Sequence, residues 1–333
     1  MIPTTKIQSD GARLSHIGVV YLCRCAEGAG PVRTFVESYR AHAAGADHDL
    51  HVIFKGFTGK AALGSAAALF AGLPIHPIEL TDTGYDIGSY FAAASEVANR
   101  RLIFFNTFSV LLADDWLKKF DDALSLPGVG LVGATGSWQS HRSLYEQSLR
   151  YARHSMRHPL QYLRELQDDH SSPAAGRSPA SIGAAGKSAK IDASRLYRRF
   201  ATSLYRLVHF RHYLSQYAPF PNPHIRTNAF MIERDRLLSL KVSSFRTKFG
   251  VYKFESGWQS LTRQILDQAL RPVVVDCDGA VYDIADWKAS STFWINGQVK
   301  LIAADNRTRD YSEGSQRMRE RLQANAWQDP AGL

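Results

Sequence analysis

The stretch 100–136, RRLIFFNTFSVLLADDWLKKFDDALSLPGVGLVGATG, decides the fold. Leu102, Ile103, Phe104 and Phe105 follow one another with no polar residue between them, the pattern of a strand covered on both faces. Asn106-Thr107-Phe108-Ser109 ends that strand. A helix is predicted over 114–124 and another strand over 130–133.

Working outward, apolar runs predict strands at 17–22, 50–54 and 75–80. Helices are expected between them at 31–42, 61–71 and 88–98, the last with Tyr90, Phe91 and Val97 available for packing. Strands alternating with helices indicate βαβ units around a mostly parallel sheet, a Rossmann-like α/β fold with flanking helices. In such sheets ligands gather at the carboxyl ends of the strands. Residues 1–15 read as a flexible lead-in. From 140 to 220 the pattern changes to two basic helical segments, 140–167 and 195–217, an inserted hairpin whose connection at 171–189 is rich in Ser, Ala, Gly and Pro and reads as a flexible loop. Sheet-like sequence returns at 221–232, followed by a helix at 261–268, a strand at 272–276 and a turn at Asp278-Gly279. The tail from 305 is polar, with a helix at 315–326.

The chain has 333 residues, 45% of them hydrophobic and 21% charged, enough to bury a full core. No leader-like pattern occupies the first thirty residues, and no run approaches the roughly 20 apolar residues of a membrane helix, so a cytoplasmic location is expected. Of three cysteines, Cys23 and Cys25 are separated by one residue and lack a second pair, which speaks against zinc or redox chemistry. The formal charge of +9 points to an anionic partner. Arginines concentrate between 142 and 211. With their aromatic neighbours they form either a packed lid with a solvated face or a peripheral contact with an anionic membrane, at its inner face for a cytoplasmic protein. No nucleic-acid motif accompanies them, and no nucleic-acid partner is expected.

The segment TGYDIGSYFAAASEVANRRLIFFNTFSVLLADDWLKKFDDAL, followed by GVGLVGATGSW, resembles the nucleotide-sugar-binding half of a family 2-like glycosyltransferase of the GT-A fold. The resemblance covers 16–138 and resumes at 222–275. It implies a donor half at 16–139, an acceptor and catalytic half at 221–304, and a C-terminal tail and helix at 305–333. It further implies a nucleotide-sugar donor, a glycan or lipid-linked acceptor, and an inverting reaction serving polysaccharide biosynthesis. The competing class is a non-catalytic protein that keeps the fold to bind a nucleotide or glycan.

In that family an acidic motif after the buried strand holds a divalent cation, manganese or magnesium, against the donor diphosphate. The matching positions here are Asn106 and Phe108, so the second carboxylate is missing. Asn106 and Ser109 either offer neutral oxygens or cap the turn, and Asp114 and Asp115 either lie near the site or cap the helix at Trp116. The resemblance puts Asp86 and Gly88 at the nucleotide, with a helix cap and close packing as the alternative roles. Lys55 stands where the family carries an acidic residue and is either a phosphate contact or a solvated lysine. Glu255 matches the general base and Arg263 the basic residue on the following helix, implied to face the donor. The alternative for Glu255 is to cap or solvate that helix. His224, Arg226 and Asn228 enter the strand on the acceptor side and are expected to bind acceptor, or else to be ordinary strand-edge residues. Asp305 to Arg309 either close over the diphosphate or form a solvated loop.

Overall fold

A computed structural model of the chain describes residues 15–147 and 215–329. The strands are β1 (Ile17–Arg24), β2 (Asp49–Lys55), β3 (Ile75–Leu80), β4 (Arg101–Phe105), β5 (Val110–Leu111) and β6 (Val129–Gly133). They continue as β7 (Gly136–Ser137), β8 (His224–Ile225), β9 (Ala229–Glu233), β10 (Arg271–Val275), β11 (Val281–Tyr282) and β12 (Ala303–Ala304). Eight of them form one mixed sheet in the order β11-β10-β6-β9-β4-β1-β2-β3. Strands β3, β2, β1 and β4 are mutually parallel, β10 is parallel to β6, and β9 runs antiparallel between β4 and β6. The architecture is α/β with a mostly parallel sheet flanked by helices, as the alternation of elements predicts.

Continuous apolar runs have a simple cause in this sheet. In β4, Leu102 and Phe104 enter one core and Ile103 and Phe105 the other, and all four are buried. One core lies under α1 (Ala29–Ala41), α2 (Lys60–Ala67) and α4 (Trp116–Ser125). The opposite core lies under α3 (Tyr85–Glu96), α5 (Arg234–Ser239), α6 (Lys248–Ser256) and α7 (Leu261–Asp267), and is closed by Trp287, Phe293, Trp294 and Trp327. The chain ends on α8 (Asn306–Ser312) and α9 (Gln316–Trp327), α9 being the tail helix expected from the sequence, capped by Ser315.

Several local expectations are corrected. Helix α3 starts three residues earlier than predicted, after Gly84 at φ 77°, so Asp86 sits in its first turn and Gly88 inside it. Asp114 and Asp115 do not cap α4: no side-chain cap bond exists there, and Asp114 Oδ1 accepts from the Ala43 amide across the loop before β2. Glu255 belongs to the last turn of α6, a helix the sequence reading leaves unassigned, whereas Ser260 caps α7. Asp305 to Arg309 are not a solvated loop, since Asp305 and Thr308 form a capping box that starts α8. The lead-in and the basic hairpin, including loop 171–189, fall almost entirely outside the described residues. Among those described, no helix is long and apolar enough to cross a membrane.

Candidate functional site

The carboxyl end of the sheet carries two adjoining cavities. The turn after β4 supplies Asn106 and Phe108 to the first. Because β9 pairs with β4 so that Phe105 faces Ala229, the residues entering β9 are carried to the same edge. Arg226, Thr227 and Asn228 therefore stand beside Asn106, and the Asn106 amide donates to the Asn228 carbonyl at 3.2 Å. Helix α6 presents Lys248, Tyr252 and Glu255 on the facing wall, and Trp294, Asp305, Asn306 and Arg307 close the third side. The enclosed volume is about 360 Å³. The second cavity, about 910 Å³, lies over the ends of β1, β2 and β3 and is lined by Arg24, Lys55, Asp82, Gly88, Phe245 and Arg246. Tyr85 and Asp86 line both.

Six of the residues singled out in the sequence thus meet in one cavity: Glu255, Asp86, Asn106, His224, Arg226 and Asn228. Lys55 and Gly88 line the neighbouring one, next to Asp86. Ser109 and Arg263 line neither. Ser109 is 1% exposed and its hydroxyl donates to Asn106 Oδ1 at 3.1 Å and the Asn228 carbonyl at 3.3 Å. Arg263 points away from the donor side, its guanidinium 4.7 Å over the Trp258 ring and its Nη2 3.2 Å from Asn222 Oδ1. The lining residues that escaped the sequence reading include Gln139, His141, Lys248, Val251, Tyr252 and Trp294. A signal existed for two of them, since 248, 252 and 255 have the spacing of one helix face.

Glu255 is half-buried at the cavity wall and accepts a short hydrogen bond from the Thr227 hydroxyl. Desolvation raises its pKa, while the Thr227 bond and the charge of Arg226 act in the opposite sense. Arg226 has its guanidinium carbon 5.0 Å from the centroid of Phe293 and 6.0 Å from that of Trp294, and Nη1 reaches Gln139 Oε1 at 3.3 Å. Burial followed by the charge of Arg226 lowers His224 to about 3 and His141 to about 4, so both imidazoles are neutral near pH 7. His224 Nδ1 lies 2.9 Å from the Asn222 carbonyl, which makes Nδ1 the protonated nitrogen of the neutral ring. Asp86 is open to solvent through the two cavities, yet the protein around it raises its pKa by desolvation, against the pull of Lys55 and Arg24. Lys55 is no solvated lysine: it is 1% exposed and its ammonium donates to the Tyr85 carbonyl, holding the first turn of α3. Desolvation lowers its pKa. Beside it, Arg24 and Asp82 form a two-bond ion pair at 2.9 Å.

The position where the resemblance expects a cation does not fit one. The Phe108 side chain has no oxygen to offer. Asn106 Oδ1 already accepts from the Phe108 amide at 2.9 Å and from Ser109 Oγ at 3.1 Å, so Asn106 and Ser109 have their turn-capping role. The nearest carboxylate, Asp305, accepts from the Thr308 amide at 2.9 Å and from Asn106 Nδ2 at 3.5 Å. Among the described residues, no three His, Cys, Asp or Glu side chains are grouped to hold a metal ion.

No protein-family model and no curated protein matches the sequence. Solved structures do match in part. They include the mannosyltransferase PcManGT from Pyrobaculum calidifontis in complex with GDP-Man and Mn2+, with a TM-score of 0.29 and 14% identity, covering 35% of this chain and 34% of that one. The galactosyltransferase LgtC with donor and acceptor sugar analogues gives 0.28 and 15%, covering 35% and 46%. S. aureus TarS 1–349 with UDP-GlcNAc gives 0.29 and 10%, covering 35% and 33%. The chain therefore spans less than half the length of each, and these are distant structural matches to nucleotide-sugar glycosyltransferases.

Proposed function

We propose that this chain transfers a sugar from a nucleoside-diphosphate donor to a carbohydrate or lipid-linked glycan acceptor, with Glu255 as general base. The observation that carries the reading is Glu255 itself: a carboxylate of raised pKa on the wall of a cavity at the carboxyl end of the sheet, oriented by Thr227. Burial strengthens the carboxylate as a base, and the Thr227 hydroxyl fixes one oxygen so that the other faces the acceptor. Asp86 and Asn106 share that cavity, and Asp86 also opens onto the larger one, which has room for a nucleoside. In the inverting reaction Glu255 takes the proton of the acceptor hydroxyl, and the acceptor oxygen bonds to the anomeric carbon. The bond from that carbon to the diphosphate oxygen breaks, its electron pair leaving with the nucleoside diphosphate. The neutral imidazoles of His141 and His224, with Gln139, offer uncharged hydrogen-bonding groups suited to sugar hydroxyls.

Calorimetry with UDP and GDP, followed by turnover of the corresponding sugar nucleotides, tests the proposal. The expected result is binding of one nucleotide. Glu255→Gln should then lose about 10²- to 10⁴-fold in turnover while keeping its donor affinity. No nucleotide binding sinks the reading, and full turnover by Glu255→Gln removes the base from it. Donor binding without turnover by the unmodified chain would favour a binding protein that keeps the fold.

A further inference from the structure

The cation position after β4 lacks its carboxylates, yet a diphosphate leaving group needs positive charge at the moment the bond to sugar breaks. The same cavity contains a guanidinium without a counter-ion at bonding distance. Among the described residues no carboxylate lies within ion-pair distance of Arg226, and its side chain makes one hydrogen bond there, the long one to Gln139 Oε1 at 3.3 Å. The charges of Glu255 and Asp305 act on it only from further away. Arg226 is nevertheless held in place, with Phe293 and Trp294 under its plane and its amide donating to the Thr135 carbonyl at 3.0 Å. It stands two residues before Asn228, the residue whose carbonyl binds the Asn106 turn.

We infer that Arg226 holds the donor diphosphate in place of a divalent metal, with Arg307 assisting at the cavity mouth. This rests on the transferase reading and specifies how its donor is gripped. A guanidinium presents parallel N–H donors that match two oxygens of a phosphate group, which a lysine cannot reproduce. Its charge cannot be lost to solvent at neutral pH, and a site closed by protein weakens the screening between it and the phosphate. The charge is already in position before the reaction. As the anomeric bond breaks, the electron pair arriving on the terminal phosphate oxygen meets the Arg226 N–H groups, while the acceptor proton moves to Glu255. Gln139 and the two aromatic rings keep the planar guanidinium aimed, the role that coordination geometry plays for a metal. Arg307 is exposed where it lines the same cavity, and its only ion pair among the described residues is the long one from Nη1 to Asp310 Oδ2 at 3.8 Å.

Calorimetry on the full chain separates the possibilities, using UDP, UMP, GDP and GMP, each in EDTA and in manganese. The expected result is nucleoside-diphosphate binding of equal strength in both, with the diphosphate bound more tightly than the monophosphate. Arg226→Gln should lose about tenfold or more of the diphosphate affinity and little of the monophosphate affinity, and Arg226→Lys should recover part of the loss. Diphosphate binding that vanishes in EDTA overturns the inference and leaves the transferase reading standing. Unchanged diphosphate affinity in a folded Arg226→Gln protein does the same. Should that variant fail to fold, the EDTA comparison and the diphosphate-to-monophosphate ratio of the unmodified chain decide. Absence of any nucleotide binding removes both readings together.

Discussion

The turn 106–109 and the run 226–228 lie side by side on one edge of the sheet, and both are rich in polar residues, but they use their polar atoms in opposite ways. In the first, Asn106 Oδ1 takes two donors from its own turn and Ser109 donates to Asn106 and Asn228. In the second, Thr227 donates outward to Glu255 and Arg226 directs its guanidinium into the cavity. A polar side chain at the ligand edge of a sheet serves a ligand only with the hydrogen bonds that its own backbone leaves over. By that measure the approach to β9 and α6 keep polar groups for a ligand, and the turn after β4 spends its own on the fold.

The contrast can be broken most severely from beneath. Phe104 and Phe230 face each other across β4 and β9, ring centroids 5.1 Å apart, and hold the two segments abreast. Phe104→Ala should lower stability by about 3 to 5 kcal/mol in chemical denaturation, and should weaken nucleotide binding along with it. Asn106→Ala sharpens the contrast at the turn itself. It leaves the Phe108 amide without its acceptor and the Ser109 hydroxyl with the Asn228 carbonyl alone, and should cost about 1 to 3 kcal/mol by the same measurement, with donor affinity by calorimetry nearly unchanged. The smallest effect is expected on the other side, at Thr227→Val. Thr227 donates to the ionised form of Glu255 and so lowers its pKa. A base works deprotonated, so removing that bond should move the acidic limb of the pH–rate profile to higher pH, a shift read from turnover against pH.

The strands were legible because burial on both faces leaves nothing but apolar residues, as in Leu102 to Phe105. Much of the site was legible too, since strand ends mark the ligand edge, and Asp86, Asn106 and Glu255 do converge on one cavity. What the sequence hid is the wall made by α6. Its segment KFGVYKFES contains a glycine and few strong helix formers. The helix forms because Thr247 caps it, accepting from the Gly250 amide at 3.1 Å, and because Val251 and Phe254 pack into the core. Gly250 itself is required by contact: a Cβ there would collide with the Ser244 carbonyl oxygen. Such an approach is tertiary and leaves no periodic trace. Arg263 shows the opposite error, where correct spacing from Glu255 said nothing about direction, and stacking on Trp258 turned the side chain away.

The antiparallel strand β9 has a consequence for how the molecule comes together. It is wedged between β4 and β6, which precede it in the chain by a long interval, so the middle of the sheet stays open until residues near 230 arrive. Such distant pairing is slow to nucleate, and until it forms β4 and β6 each expose an unpaired hydrogen-bonding edge of strongly apolar sequence. This central strand is also the one preceded by Arg226 and Thr227. Any species in which β9 is unpaired therefore lacks the edge that carries Arg226 and Thr227, and completion of the cavity and completion of the central sheet become a single event.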